Sequence, residues 1–213
     1  MNQNTKKIKQ IADRGIVPTL KNAGFHRRGS DFSRNYGEAL QVVNLQLSSG
    51  NTKELGRFTL NIGVHFTLVA ALLFGKDPMP VNPKESSCLL RARVGLLMPE
   101  QNDHWWSVTP ETDGESVSKE LAAVCSSYVL PWLEQFKSVA ETDWKPRRGM
   151  IQHPCAEAAA NLVLGKMERA AQCIEEELAR IRQDPAYRDQ SYAWKEEQIG
   201  QIKKWAAENG IAV

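Results

Sequence analysis

A chain of 213 residues can bury a sizeable core without disulfides or metal ions to staple it. Apolar residues make up 42% and charged residues 24%, the balance of an ordinary globular domain. A net charge of +2 and a pI near 8.3 fall below the value of about 9 that marks a dedicated nucleic-acid binder, so nucleic acid is not the expected partner.

The amino-terminal lysines are followed by no apolar signal segment, and the greasiest stretch, residues 64–74, is interrupted by His65 and Thr67. It is also far shorter than the roughly 20 residues of a membrane span. Cys88, Cys125, Cys155 and Cys173 lack the paired C-x-x-C spacing of zinc or redox sites. Free buried thiols in a reducing, cytoplasmic compartment are the expectation, with no cofactor and no metal.

Ile8, Ile11, Ile16, Val17, Leu20 and Ala23 recur at helical spacing, with Gly15 and Pro18 predicting an interruption and Gly24 a stop. His26, Arg27 and Arg28, between Gly24 and Gly29, read as a basic turn, an arrangement more often solvated surface than anion site. A short strand is expected at 32–36. Two longer runs follow, at 39–48 and 57–66. In the first, Val43, Leu45 and Leu47 alternate with Asn44, Gln46 and Ser48; in the second, Phe58, Leu60, Ile62, Val64 and Phe66 alternate with Thr59, Asn61 and His65. Side chains alternate across a strand, so each run has one greasy and one hydrogen-bonding face. Asn is depleted in strands, so an amide-rich face has either a ligand to hold or water to meet.

Leu68, Val69, Leu72 and Leu73 fit a short helix or a continued strand, and Pro78, Pro80 and Pro83 then break the pattern. Residues 88–97 alternate again, with Leu90, Ala92, Val94 and Leu96 on one side and Arg91 and Arg93 on the other. A last short strand is expected at 105–108. Val117, Leu121, Val124, Cys125, Tyr128 and Trp132 fall at helical spacing, Pro131 marking a kink or a new turn. Residues 144–149 read as a linker, and helices are expected at 156–164, 167–182 and 187–208, with breaks at Gly165 and Gly210. Gly165, Ala170, Ile174 and Leu178 partly resemble the second helix of a tetratricopeptide repeat, but the Trp and Tyr signature positions are missing, which favours a single helical hairpin. The predicted fold is α+β: a mostly antiparallel β-sheet packed with helices over 1–143, a linker at 144–150 and a C-terminal helical appendage over 151–213.

The leading candidate site is the polar sheet face: Asn44, Gln46, Asn61, His65, Arg91 and Arg93. Two arginines two apart on a strand set their guanidinium forks side by side, a geometry suited to a carboxylate or phosphate. The competing reading is the wet side of a sheet, its arginines paired to surface carboxylates, or buried structural amides if helices cover it. Trp105 and Trp106 after His104 could stack a ligand or seal a core edge. The chain has no Gly-rich phosphate loop, H-E-x-x-H or G-x-S-x-G motif, its histidines at 26, 65, 104 and 153 are scattered, and His153 and Cys155 lack further ligands in a metal-site spacing.

Further likeness lies in Leu20 with Ala23-Gly24-Phe25, Gly29 and Phe32, then Asn44-Leu45-Gln46 with Ser48, and Phe58-Thr59-Leu60-Asn61-Ile62-Gly63. Cys88, Arg91 through Gly95, Trp105-Trp106 and Leu130-Pro131-Trp132-Leu133 complete the set. On these residues, over 8–136, the chain resembles the bacterial family catalogued as domain of unknown function 4304. The resemblance implies an α+β bacterial cytosolic domain sharing polar positions such as Gln46, Asn61 and Arg93, and it brings no catalytic residues. The expected function is a non-enzymatic protein-interaction or regulatory module, of immunity type by analogy, with a protein partner. The alternative is an enzyme or nucleic-acid-processing factor that binds an anionic small molecule on the same face. The first predicts an exposed apolar or charged patch on the helices, the second a concave pocket lined by Arg91, Arg93, Asn61 and His65.

Overall fold

A computed structural model describes residues 3–75, 84–183 and 192–212, so the three prolines after Gly75 and the expected helix start at 187 lie outside the described residues. Helix α1 (Gln3–Asn22) buries Ile8, Ile11, Ala12, Ile16 and Leu20 along one stripe. It runs unbroken through Gly15 and Pro18, correcting the expected interruption. The reason is tertiary: α1 packs on α3 (Gly114–Val124) so closely that a Cβ at Gly15 would lie 2.4 Å from the Ser118 carbonyl oxygen. Ser118 Oγ donates to the Ile11 carbonyl at 3.1 Å across the same approach. Gly24, at φ +85°, ends the helix as expected: Phe25 N–H reaches back to Leu20 O and Gly24 N–H to Lys21 O, a Schellman arrangement.

The basic residues after this stop form a strand rather than a turn. β1 (His26–Arg28) pairs antiparallel with β2 (Asp31–Tyr36) across Gly29 and Ser30, a two-residue hairpin made possible by Gly29 at φ +65°. β2 pairs antiparallel with β3 (Ala39–Leu47), which adjoins β4 (Gly56–Phe66). Phe58, Leu60, Ile62, Val64 and Phe66 of β4 are at most 1% exposed, the greasy row expected from their alternation. β3 takes one edge of β4; β5 (Leu90–Arg93) and β6 (Trp106–Val108) take successive stretches of the other, and β7 (Met150–Gln152) lies beyond β5. The run at 88–97 is strand only through Arg93, because Val94–Leu96 coils into a 3-10 turn. The sheet is antiparallel with helices, an α+β fold as expected.

Helix α3 continues through a π turn, Cys125–Val129, into α4 (Leu130–Glu134). In an uninterrupted α-helix Pro131 would leave a carbonyl without a donor and press its ring on the preceding turn. The π turn, closed by Leu130 N–H on Cys125 O, relieves that conflict. Fully buried Gln41 of β3 then holds the end of α4: its Nε2 donates to Leu133 O at 2.6 Å and Phe136 O at 3.1 Å, and its Oε1 accepts from Arg34 Nε at 2.9 Å.

The described chain forms two compact units. The first holds residues through His65, 84–142 and Pro146–Ile151; the second holds 66–75, Asp143–Lys145, 152–183 and 192–212. The second is helical, with α2 (Thr67–Phe74), α5 (Ala156–Val163), α6 (Met167–Gln183) and α7 (Tyr192–Glu208). Gly165 separates α5 from α6, and Arg169 clasps Glu157 and Glu176, each at 2.8 Å. Among the described residues no helix is long and apolar enough to cross a membrane.

Two glycine substitutions separate packing from propensity. Gly15→Ala should lose about 1–3 kcal/mol of unfolding free energy, because a methyl group has nowhere to go between α1 and α3. Gly200→Ala, in open space on α7, should gain up to about 1 kcal/mol from helix propensity alone. Chemical denaturation measures both, and an equal response would remove the close approach as the reason Gly15 is tolerated in mid-helix.

Candidate functional site

Strand pairing assembles the polar face. Register sets Asn61 opposite Arg93 and Gly63 opposite Arg91 on β4 and β5, and Asp31 opposite Asn44 on β2 and β3. Asn44 Nδ2 donates to Asp31 Oδ1 at 2.6 Å, and Asn61 Nδ2 donates to Gln46 Oε1 at 2.7 Å. The amides are therefore oriented by one another and by a carboxylate.

Both arginines are anchored. Arg91 Nε donates to Glu85 Oε1 at 2.7 Å, and Arg93 Nη1 lies 2.9 Å from each oxygen of Asp103. Trp105 Nε1 also donates to Asp103, at 2.9 Å, and the guanidinium carbons of Arg93 and Arg57 lie 5.5 and 5.8 Å from the Trp105 ring centre. Slight burial pushes the Asp103 carboxyl upward, but hydrogen bonds from Arg93 and Trp105 and the charges of Arg93 and Arg57 outweigh it and hold the group below its usual range. Trp106 does the sealing work instead, stacked on Phe58 at 5.4 Å with its Nε1 donating to Glu120.

Asn44, Gln46, Asn61, Arg91 and Arg93 come together around an open groove of about 500 Å³, joined there by Asp31, Lys84, Glu85 and Ser86. His65 does not line it. It shares the strand parity of Asn61 but is 4% exposed, because the chain at 85–88 rests on β4 at this point. A Cβ at Gly63 would lie 2.6 Å from Cys88 Sγ and 3.3 Å from Glu85 O, so the absent side chain is what admits that segment. Burial pulls the His65 pKa below its usual value, a Ser87 backbone group opposing more weakly, and among the described residues no hydrogen bond of ordinary geometry reaches either ring nitrogen.

Sequence reasoning missed the carboxylates. Asp31 is recoverable from hairpin register, as the partner of Asn44, but Glu85 sits in a short 3-10 turn (Glu85–Ser87) and Asp103 in a loop, where no periodicity marks them. The groove has donors left over: Arg91 Nη1, and Arg93 Nε and Nη2, make no hydrogen bond among the described residues, and the Lys84 ammonium makes no ion pair there. It also presents acceptors on Asp31 and Glu85. Covalent chemistry through sulfur is disfavoured. Burial pushes the thiols of Cys125, Cys155 and Cys173 up to about 12, and burial with the nearby Glu85 charge pushes Cys88 up as well, so all four are protonated at neutral pH.

A family model described as domain of unknown function (DUF4304) matches residues 16–135. No curated protein and no solved structure matches the chain. The matched stretch contains every residue that lines the groove, while α5, α6 and α7 lie outside it.

Because folding favours neutral His65, the unfolded chain takes up a proton at a higher pH than the folded one. The stabilisation is complete above the unfolded value of about 6.5 and is lost as pH falls toward the lowered folded value. Urea denaturation of His65→Gln should accordingly show a flatter decline of stability between pH 7 and pH 5 than the parent, with a residual slope from His153, which burial shifts in the same direction. Superimposable pH profiles would show that His65 does not titrate on unfolding.

Proposed function

The chain belongs to the DUF4304 family, and from that premise we propose that it is a non-enzymatic binding module whose polar sheet groove receives a partner protein. The observation that carries this reading is the mixed sign of the groove: Lys84, Arg91 and Arg93 share its lining with Asp31, Glu85 and the oriented amides, Arg91 being paired directly with Glu85. A polyphosphate or nucleic acid would bring phosphates against two carboxylates. A protein segment can place an acid on the arginines and an amide or base on Asp31 in one arrangement, which is electrostatic complementarity of the kind that sets specificity. Guanidinium groups already docked on Glu85 and Asp103 lose little freedom when a partner arrives. The four unpaired cysteines support a reducing, cytoplasmic setting.

A second reading, an enzyme or other protein that holds an anionic small molecule in the groove, draws on its concavity: Asn61, Arg91 and Arg93 line it as that reading predicts, His65 does not, and about 500 Å³ lies within the usual range for ligand sites.

Arg93→Ala is the decisive variant, because it vacates the groove edge and leaves behind a carboxylate, Asp103, that is half exposed, whereas removing Arg91 would strand the buried Glu85. Immobilised parent protein should capture a partner that Arg93→Ala binds at least tenfold more weakly at unchanged circular dichroism. Unchanged capture by the variant would overturn the groove as the recognition surface. Thermal stabilisation of the parent by inorganic phosphate or a dicarboxylate, absent in the variant, would decide for the small-molecule reading.

A further inference from the structure

We propose that the helical unit holds a binding site for an organic cation, an alkylammonium or alkylguanidinium group, in a cavity of about 440 Å³ on α7. Its described lining residues all belong to the second unit, and none of them lines the sheet groove. Its apolar lining is Leu73, Pro154, Ile202 and Trp205. The Trp205 indole N–H is spent on the Leu72 carbonyl at 3.0 Å, so this side chain has only its ring to offer.

The polar groups of the cavity ask for a donor. Glu197 accepts one hydrogen bond, from Gln201 at 3.3 Å, and makes no ion pair among the described residues. His153 brings no competing charge: its Nδ1 accepts from Cys155 N–H at 3.1 Å, which places the proton on Nε2, and burial lowers its pKa. A carboxylate without an ion pair among the described residues, and an indole ring beside aliphatic side chains, match a cation on a short apolar stem, the stem against Leu73 and Ile202 and the charge toward Glu197. An anion would meet Glu197 with like charge.

The same chemistry is carried by a free amine and by a Lys or Arg side chain, so the test uses both. Isothermal titration of the full chain with n-butylguanidinium, n-butylammonium, n-butanol and a blocked Gly-Arg-Gly peptide should give saturable binding of the cations and none of the alcohol. Glu197→Gln, at an exposed position, should weaken cation binding at least tenfold at unchanged circular dichroism. Stronger binding of the peptide assigns the source to a protein side chain, stronger binding of the free cations to a small metabolite, and either supports the site. No saturation at roughly 10 mM, where a site with a dissociation constant of about 1 mM would be filled, overturns it. Equal affinity in Glu197→Gln overturns it as well.

Discussion

Glu85 is 8% exposed, and a carboxylate buried to this degree is tolerable only while it is paired. Its partner Arg91 stands opposite Gly63 on the neighbouring strand, where β4 offers no side chain to keep the 85–88 segment away. Three features follow from that single arrangement. The segment becomes a wall of the groove, the Arg91 guanidinium is fixed along it, and His65 is roofed over two residues further along β4. A side chain at position 63 would disturb all three at once. Losing Glu85 would free Arg91 to swing, and losing Arg91 would strand a carboxylate.

How far the sequence foretold this depends on whether a residue obeys a period. The greasy row of β4 and the shared face of Asn61, Arg91 and Arg93 follow from alternation, and the structure has them where parity puts them. His65 obeys the same parity yet leaves the groove, because the cover over it comes from residues twenty or more positions away in sequence. Glu85 and Asp103 were illegible for the converse reason: a 3-10 turn and a loop carry no repeat that ties a carboxylate to a particular arginine. Gly15 and Pro18 show tertiary packing overriding propensity. Taken alone they read as a break, but the space Gly15 leaves is what α3 needs, and the forgone hydrogen bond at Pro18 is small beside the buried stripe of isoleucines.

The two units use charge differently. In the first, ion pairs line the polar groove and orient guanidinium groups that keep further N–H donors unused among the described residues. In the second, Arg169 acts as a staple between α5 and α6, its two carboxylates raising an already high pKa. That staple is partly solvated, so its contribution is modest beside the burial of Ala159 on α5 and of Ile174, Leu178 and Ile181 on α6. The cavity on α7 adds a carboxylate, Glu197, that makes no ion pair among the described residues.

The π turn at Cys125–Val129 makes length itself a structural variable. Each helical residue advances the chain by about 100° around the axis, so one residue more or fewer in this turn would rotate everything after it by more than a quarter of a revolution. Leu133 and Phe136 would then carry their carbonyls away from Gln41, and a fully buried amide would be left facing apolar side chains. Surface loops absorb insertions and deletions with little penalty, but this helix counts its residues. Relatives that differ in length should therefore keep the spacing from Gln41's helix contacts back through the π turn to α3, and vary elsewhere.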